Sequence, residues 1–181
     1  VVSVAGNYDE KAVIDMLNEK LTVKGSGSVE KCPPLKKEKG DIVFVQKDIE
    51  QVNLCLGFPG VGQTAENYFA ATMAGNILGG GMSSRLFQRV REKNGMTYAI
   101  YSYLAANVNS GMLTVYAGMN QNQAADVLDL IADEIEAMRR NGITDKEYVE
   151  AKEQLKGGFV LGLESASARM NRNGKVLLLN G

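Results

Sequence analysis

Within the stretch Gly79–Tyr98, GGGMSSRLFQRVREKNGMTY, two side chains could handle a polar substrate. Arg91 offers a planar, permanently charged guanidinium that can grip a carbonyl or carboxylate in fixed geometry. Tyr98 offers a phenol that can donate a hydrogen bond to negative charge developing on oxygen. On residue types alone, the same two positions also fit a surface arginine and a strand tyrosine. Their placement decides between the readings. A helix over 84–94 would bury Leu86, Phe87 and Val90 and turn Arg85, Gln88, Glu92 and Lys93 toward water. Arg91 follows Phe87 by one helical turn and so stands at the edge of the apolar stripe. Ser83 or Ser84 can cap this helix and Gly95 can close it. The chain then enters a strand near Tyr98, which brings both side chains toward one cleft.

Other chemistries fit less well. The glycines Gly79, Gly80 and Gly81 precede a helix N-terminus, where free N–H groups attract anions. LGGGMSSR nevertheless lacks the lysine of a phosphate loop, and a helix rather than a strand precedes it. The glycines also read as a flexible joint between helices. Ser28 and Lys31 match a bare S-x-x-K pattern, but in a Gly/Ser-rich connection rather than at the start of an apolar helix. The chain has no histidine, so it holds no Ser-His-Asp triad, no Cys-His pair and no histidine-based zinc site. Cys32 and Cys55 read as unpaired thiols of a reducing compartment, which favours a cytoplasmic setting.

The elements that must position Arg91 and Tyr98 follow from periodicity. VVSVAG (1–6) reads as a buried strand, and Asn7 with Glu10 as the start of a helix lined by Val13, Leu17 and Leu21. Lys24 to Gly40 is a Gly, Ser, Pro and Lys-rich connection. IVFVQ (42–46) and the alternating QVNLCLGF (51–58) predict a hairpin. Residues 65–78 read as a buried helix. TYAIYSYLA (97–105) and MLTVYAGM (112–119), separated by Asn107 to Gly111, predict a second hairpin. Over 123–140, Val127, Ile131, Ile135 and Met138 line one helix face, the acids read as a solvated face, and Gly142 ends the helix. Thr144 with Glu147 is a capping box for a last helix carrying Tyr148, Ala151 and Leu155, which Gly157 and Gly158 weaken. Hairpins mixed with helices give an α+β fold: a largely antiparallel sheet with helices packed on one face.

The 181 residues are enough for one α+β domain over 1–181 with a hydrophobic core. Twenty basic residues balance 21 acidic ones, and a net charge of -1 gives no pull toward nucleic acid or an anionic membrane. No apolar run approaches the roughly 18 residues that span a bilayer. The chain opens on VVSVAG without Met and stops in KVLLLNG, which reads as part of a longer protein.

GGGMSSRLFQRVREKNGMTYAIYS resembles the C-terminal half-domain of the pitrilysin/insulinase family of zinc peptidases, of the mitochondrial processing peptidase type and closest to its short bacterial members. The Arg91 to Tyr98 spacing, the Gly-rich joint and the element order carry the likeness. VVSVAGNYD and the two final helices extend it over the whole chain. The resemblance implies a truncated C-terminal domain of a two-domain chain. It implies zinc on the N-terminal domain, held by an inverted His-x-x-Glu-His motif and a later Glu, with the motif's Glu activating water. Tyr98 would then be catalytic, donating to the oxyanion. Arg91 and Tyr98, with Gly80 and Gly81 nearby, would bind substrate.

This sequence departs from the family's full pattern in lacking the zinc motif. The reading is therefore a substrate-binding, site-completing, non-zinc half of a peptidase acting on extended peptides, inactive alone. Its partners would be the zinc-bearing domain of the same or another chain, in a homo- or heterodimer, and a peptide. The alternatives are a non-catalytic assembly subunit of the same fold, like the related core subunits of respiratory complexes, or an unrelated module capturing anions at the glycine joint.

Overall fold

The computed structural model describes residues 1–22 and 40–180. The Lys24 to Gly40 connection up to residue 39, Cys32, and the Ser28/Lys31 pattern lie outside the described residues. Contacts divide the chain into two compact units, Val1–Pro33 with Lys156–Gly181, and Pro34–Leu155.

The second unit is built on three antiparallel strands, β1 (Val52–Gly60), β2 (Ala99–Ala106) and β3 (Gly111–Met119), in the order β1-β3-β2. The alternation in β1 has the expected effect: Val52, Leu54, Leu56 and Phe58 turn inward while Asn53, Cys55 and Gly57 face out. Its partner is not the expected one. Residues 42–46 form no strand and are exposed, and β1 pairs with β3 from Val52↔Met119 to Gly60↔Gly111. Local periodicity marks a run as fit for a strand but carries no information on which distant run supplies its ladder. The second hairpin forms as predicted, with Asn107 N–H on the Ser110 carbonyl at 2.8 Å and the ladder closing at Ala106↔Gly111.

Three helical segments cover the inner face of the sheet. These are α2 (Tyr68–Gly79), a π-helical segment (Phe87–Lys93) and α3 (Ala124–Asn141). Leu78, Leu86, Val90, Val127 and Ile131 pack with Ile100, Val115, Ala117 and Met119, all buried. Full burial of one such side chain stabilises the fold by about 1.5–3 kcal/mol. Ile135 and Met138 extend the α3 face as expected. On the opposite face of the sheet Tyr101 stacks on Tyr116 at 4.9 Å, with Tyr103 beside Tyr101.

Helix α2 meets β2 through glycine. A Cβ on Gly79 would strike the backbone nitrogen of Ser102, and one on Gly75 would come within 3.1 Å of Leu113. Gly75 and Gly79 lie one helical turn apart, so both bare positions face the sheet. Ser102 Oγ donates to the Gly75 carbonyl at 2.7 Å across this contact. The helix begins at Tyr68 rather than 65, because Ala65 N–H turns back to the Gly62 carbonyl.

The capping box closes as predicted. Thr144 N–H donates to Glu147 Oε2 at 2.7 Å and Glu147 N–H to Thr144 Oγ1 at 3.2 Å, at the start of α4 (Asp145–Leu161). The helix runs on through Gly157 and Gly158. Arg85, expected to face water, instead forms a two-point bond with Glu147. Nε reaches Oε1 at 2.5 Å and Nη2 reaches Oε2 at 2.9 Å, and the arginine side chain is 17% exposed. Its Nη2 also donates to the carbonyl of Gly142, which ends α3 at φ +70°. The acids of α3 are not a plain solvated face either. Arg89 bonds Glu134 at 2.8 Å and Asp133 at 3.0 Å.

In the first unit, residues 1–6 form no strand, and Val1, Val2 and Val4 are exposed. Ser3 Oγ donates to the Met170 carbonyl in α5 (Ala166–Asn180) at 2.7 Å. Among the described residues that contact leads to a helix rather than to a strand that would complete a ladder. Helix α1 (Glu10–Lys20) is capped by Asp9 rather than Asn7, through Ala12 N–H at 2.9 Å. Val13 and Leu17 are half-buried and Leu21 is exposed. Among the described residues no helix is long and apolar enough to cross a membrane.

The Arg85 guanidinium holds the Glu147 carboxyl far below its ordinary range, from 4.5 to about 2. A depressed carboxylate contributes stability above its unfolded pKa and loses it as pH falls through the folded value. Urea unfolding should therefore show stability falling between about pH 4.5 and 2, by about 1–3 kcal/mol after discounting for solvent screening. Glu147→Gln should remove that part of the slope. A Gly79→Ala chain should lose about 1–3 kcal/mol to overpacking against β2. Helix propensity alone would favour alanine by about 1 kcal/mol, so a raised urea midpoint would contradict the close approach.

Candidate functional site

The segment that carries Arg91 is not the regular α-helix its periodicity predicts. After Arg85 and Leu86, the chain widens into π-helix from Phe87 to Lys93. Such stretches are rare and concentrate at functional sites. Ser84 does not cap the helix through its hydroxyl, which donates instead to the Gly81 carbonyl at 2.5 Å. Gly95 closes the segment as predicted, at φ +60°, where a side chain would be strained. The closing bonds run from Gly95 N–H to the Arg91 carbonyl and from Met96 N–H to the Val90 carbonyl. The first is the ordinary bond of a glycine-closed helix end, and the second reaches one residue further back than the usual six-to-one bond, as the wider coil requires.

Arg91 is exposed, and its guanidinium carbon lies 4.9 Å from the centre of the Phe87 ring. No carboxylate among the described residues bonds it. Stacking occupies the face of the guanidinium and leaves its in-plane N–H donors available. The other two arginines of this stretch differ: Arg85 is spent on Glu147 and Gly142, Arg89 on Asp133 and Glu134.

Tyr98 sits where the chain enters β2. Its backbone N–H bonds the Gly118 carbonyl at 2.8 Å, which continues the β2–β3 ladder. The side chain is 55% exposed, and its hydroxyl donates to Asn120 Oδ1 at 3.0 Å. Arg91 and Tyr98 thus both reach the surface from the two sides of the Gly95 turn, each held by its own neighbour and not bonded to the other. Thr97, between Met96 and Tyr98, is buried with its hydroxyl unpartnered among the described residues.

Gly80 and Gly81 touch neither of these side chains through the contacts they make. Gly80 N–H ends α2 on the Asn76 carbonyl at 2.7 Å, and its own carbonyl accepts from Gln154 Nε2 at 3.3 Å. A Cβ on Gly80 would strike Asn76, and one on Gly81 would come 2.8 Å from Gln154 Nε2. Beside this joint lies a cavity of about 20 Å³, the size of one water, lined in part by Asn76, Ser83, Glu147 and Glu150. Carboxylates on its wall are the wrong sign for the anion-capturing alternative.

Sequence reasoning missed the Tyr98–Asn120 bond and the stacking of Arg91 on Phe87. Asn120 was within reach: the pairing Ala99↔Gly118 follows from the 107–110 turn, and continuing it one step brings 98 beside 119 and 120. The π-helix left no comparable trace, since its residues also satisfy an α-helical stripe.

No group of three or more His, Cys, Asp or Glu among the described residues could hold a metal ion, and the whole chain has no histidine. The described residues of this chain therefore do not fit a zinc site.

Comparison with known proteins identifies the family. The family profile described as the peptidase M16 inactive domain matches residues 1–155. An uncharacterized zinc protease of Bacillus subtilis, YmxG, is 41% identical over the whole chain, which spans 44% of that relative's length. A protease from Helicobacter pylori superposes with a TM-score of 0.78 at 22% identity, over 97% of this chain and 44% of its own. Complex III from Candida albicans contains a chain that superposes at 0.82 with 19% identity, over 97% and 44%. The two structural likenesses show a shared fold: helices packed on an antiparallel sheet. The profile match over most of its length places this chain in the peptidase M16 family, as a member of its inactive-domain class.

Proposed function

We propose that this chain is the substrate-binding half of a zinc-dependent peptidase acting on extended peptides, with the metal carried by a second half. The observation that carries the reading is the contrast among three arginines. Arg85 and Arg89 are consumed by carboxylates, while Arg91 is exposed, stacked and bonded to no carboxylate among the described residues. A fixed cation with open in-plane donors suits a peptide carbonyl or carboxylate better than it suits a structural role.

In this reading Arg91 orients the peptide backbone through those donors. Tyr98 then turns its hydroxyl from Asn120 Oδ1 to the carbonyl oxygen under attack, where a neutral O–H donor stabilises developing negative charge without adding a proton-transfer step. The metal-bearing half belongs to the longer chain or to a partner chain, consistent with this chain spanning less than half of its curated relative. An extended peptide fits because only an unfolded strand presents successive carbonyls to such a donor pair. The assembly-subunit alternative rests on likeness of fold alone.

The test is to combine this chain with a zinc-bearing half and assay cleavage of an unstructured peptide. Tyr98→Phe should lower kcat by about 10²–10³ with KM little changed. Arg91→Ala should raise KM by about 10–100-fold, the equivalent of one charged hydrogen bond. Restored activity that is indifferent to both substitutions would refute the assignment.

A further inference from the structure

Resting on that reading, we infer that Phe87 is a positioning residue: its ring is the platform that holds the Arg91 guanidinium ready for a peptide carbonyl or carboxylate. Three observations support it. The guanidinium carbon lies 4.9 Å from the ring centre, within the range of a cation–π contact. Phe87 is half-buried, and Leu86 and Val90 on the same segment are fully buried, so the ring sits on a stretch of backbone held to the core by its neighbours. No carboxylate competes for Arg91 among the described residues, so the ring is the contact that defines where its charge rests.

The physical gain is pre-organisation. A free arginine carries about 2 kcal/mol of rotamer entropy, part of which must be given up when it binds. A ring that already confines the guanidinium removes that part from the binding step. A carboxylate would confine Arg91 equally well but would occupy the in-plane donors that a ligand needs. An aromatic face confines it and leaves them open. The closing bonds from Gly95 N–H to the Arg91 carbonyl and from Met96 N–H to the Val90 carbonyl end the π segment just after Lys93, so the backbone under the stack is also fixed.

A similar stack elsewhere provides an internal control: the guanidinium carbon of Arg172 lies 4.5 Å from the Phe159 ring centre, in the other compact unit. The experiment uses the 181-residue chain, a fluorescein-labelled unstructured peptide read by anisotropy, and the NMR order of the Arg91 Nε–H in the free chain. Phe87→Leu should lower that order and weaken peptide binding by about two- to five-fold, the value of an exposed cation–π contact. Phe87→Trp should restore both, which separates the ring's face from its bulk, and Phe159→Leu should change neither. Unchanged Arg91 order in Phe87→Leu would overturn the inference. So would lowered order with unchanged affinity while Arg91→Ala weakens binding. If Arg91→Ala leaves peptide affinity intact, the functional reading fails instead, and this inference falls with it whatever the order shows.

Discussion

The Arg85 guanidinium ties the start of the π-helical segment to the α3–α4 turn, 57 to 62 residues further along the chain. It bonds both oxygens of Glu147 at the start of α4 and the carbonyl of Gly142 at the end of α3, from a position just ahead of the π-helical segment. Glu147 in turn closes the capping box with Thr144. One carboxylate therefore serves a helix start and an ion pair at once, and hydrogen bonding to so many donors holds it ionised far below its ordinary range. The α3–α4 turn is pinned at the point where the π segment begins, and the direction of that segment follows from the pin.

With the segment's start held there and its side anchored to α3 by Arg89, the remaining arginine is left at the far end, past the last buried residue, Val90. The charge economy of the segment is thus a spatial sequence. The arginines nearest α3 and α4 are neutralised by acids of those helices, and the one beyond their reach is exposed. The hairpin then returns Tyr98 to the same turn, because the β2–β3 ladder begins immediately after Gly95 and Met96 have closed the helix. Arg91 and Tyr98 are presented by two different elements that share one short connection.

Glycine acts here mainly by omission. Gly75 and Gly79 let α2 lie directly on β2, which sets the height of the helical layer above the sheet. Gly80 and Gly81 continue the same close packing toward Asn76 and Gln154 rather than opening toward Arg91 or Tyr98. A glycine cluster before a helix thus serves as a packing joint, with two carboxylates among the groups that line the small cavity beside it.

From the residues alone came the α+β class, the β2–β3 hairpin, the α3 face of Val127, Ile131, Ile135 and Met138, the Thr144/Glu147 box and the closing role of Gly95. Each is a local matter, set by periodicity, turn chemistry or a cap within a few positions along the chain. The absence of histidine, and with it of a histidine-based metal site, is equally a property of the sequence. The partner of β1, the lack of strands at 1–6 and 42–46, the pairing of Arg85 with Glu147 and the stacking of Arg91 on Phe87 were decided only by tertiary structure. Those depend on which distant groups arrive first at the same place, and a strand-prone run or a charged side chain has the same local character whichever neighbour it finds.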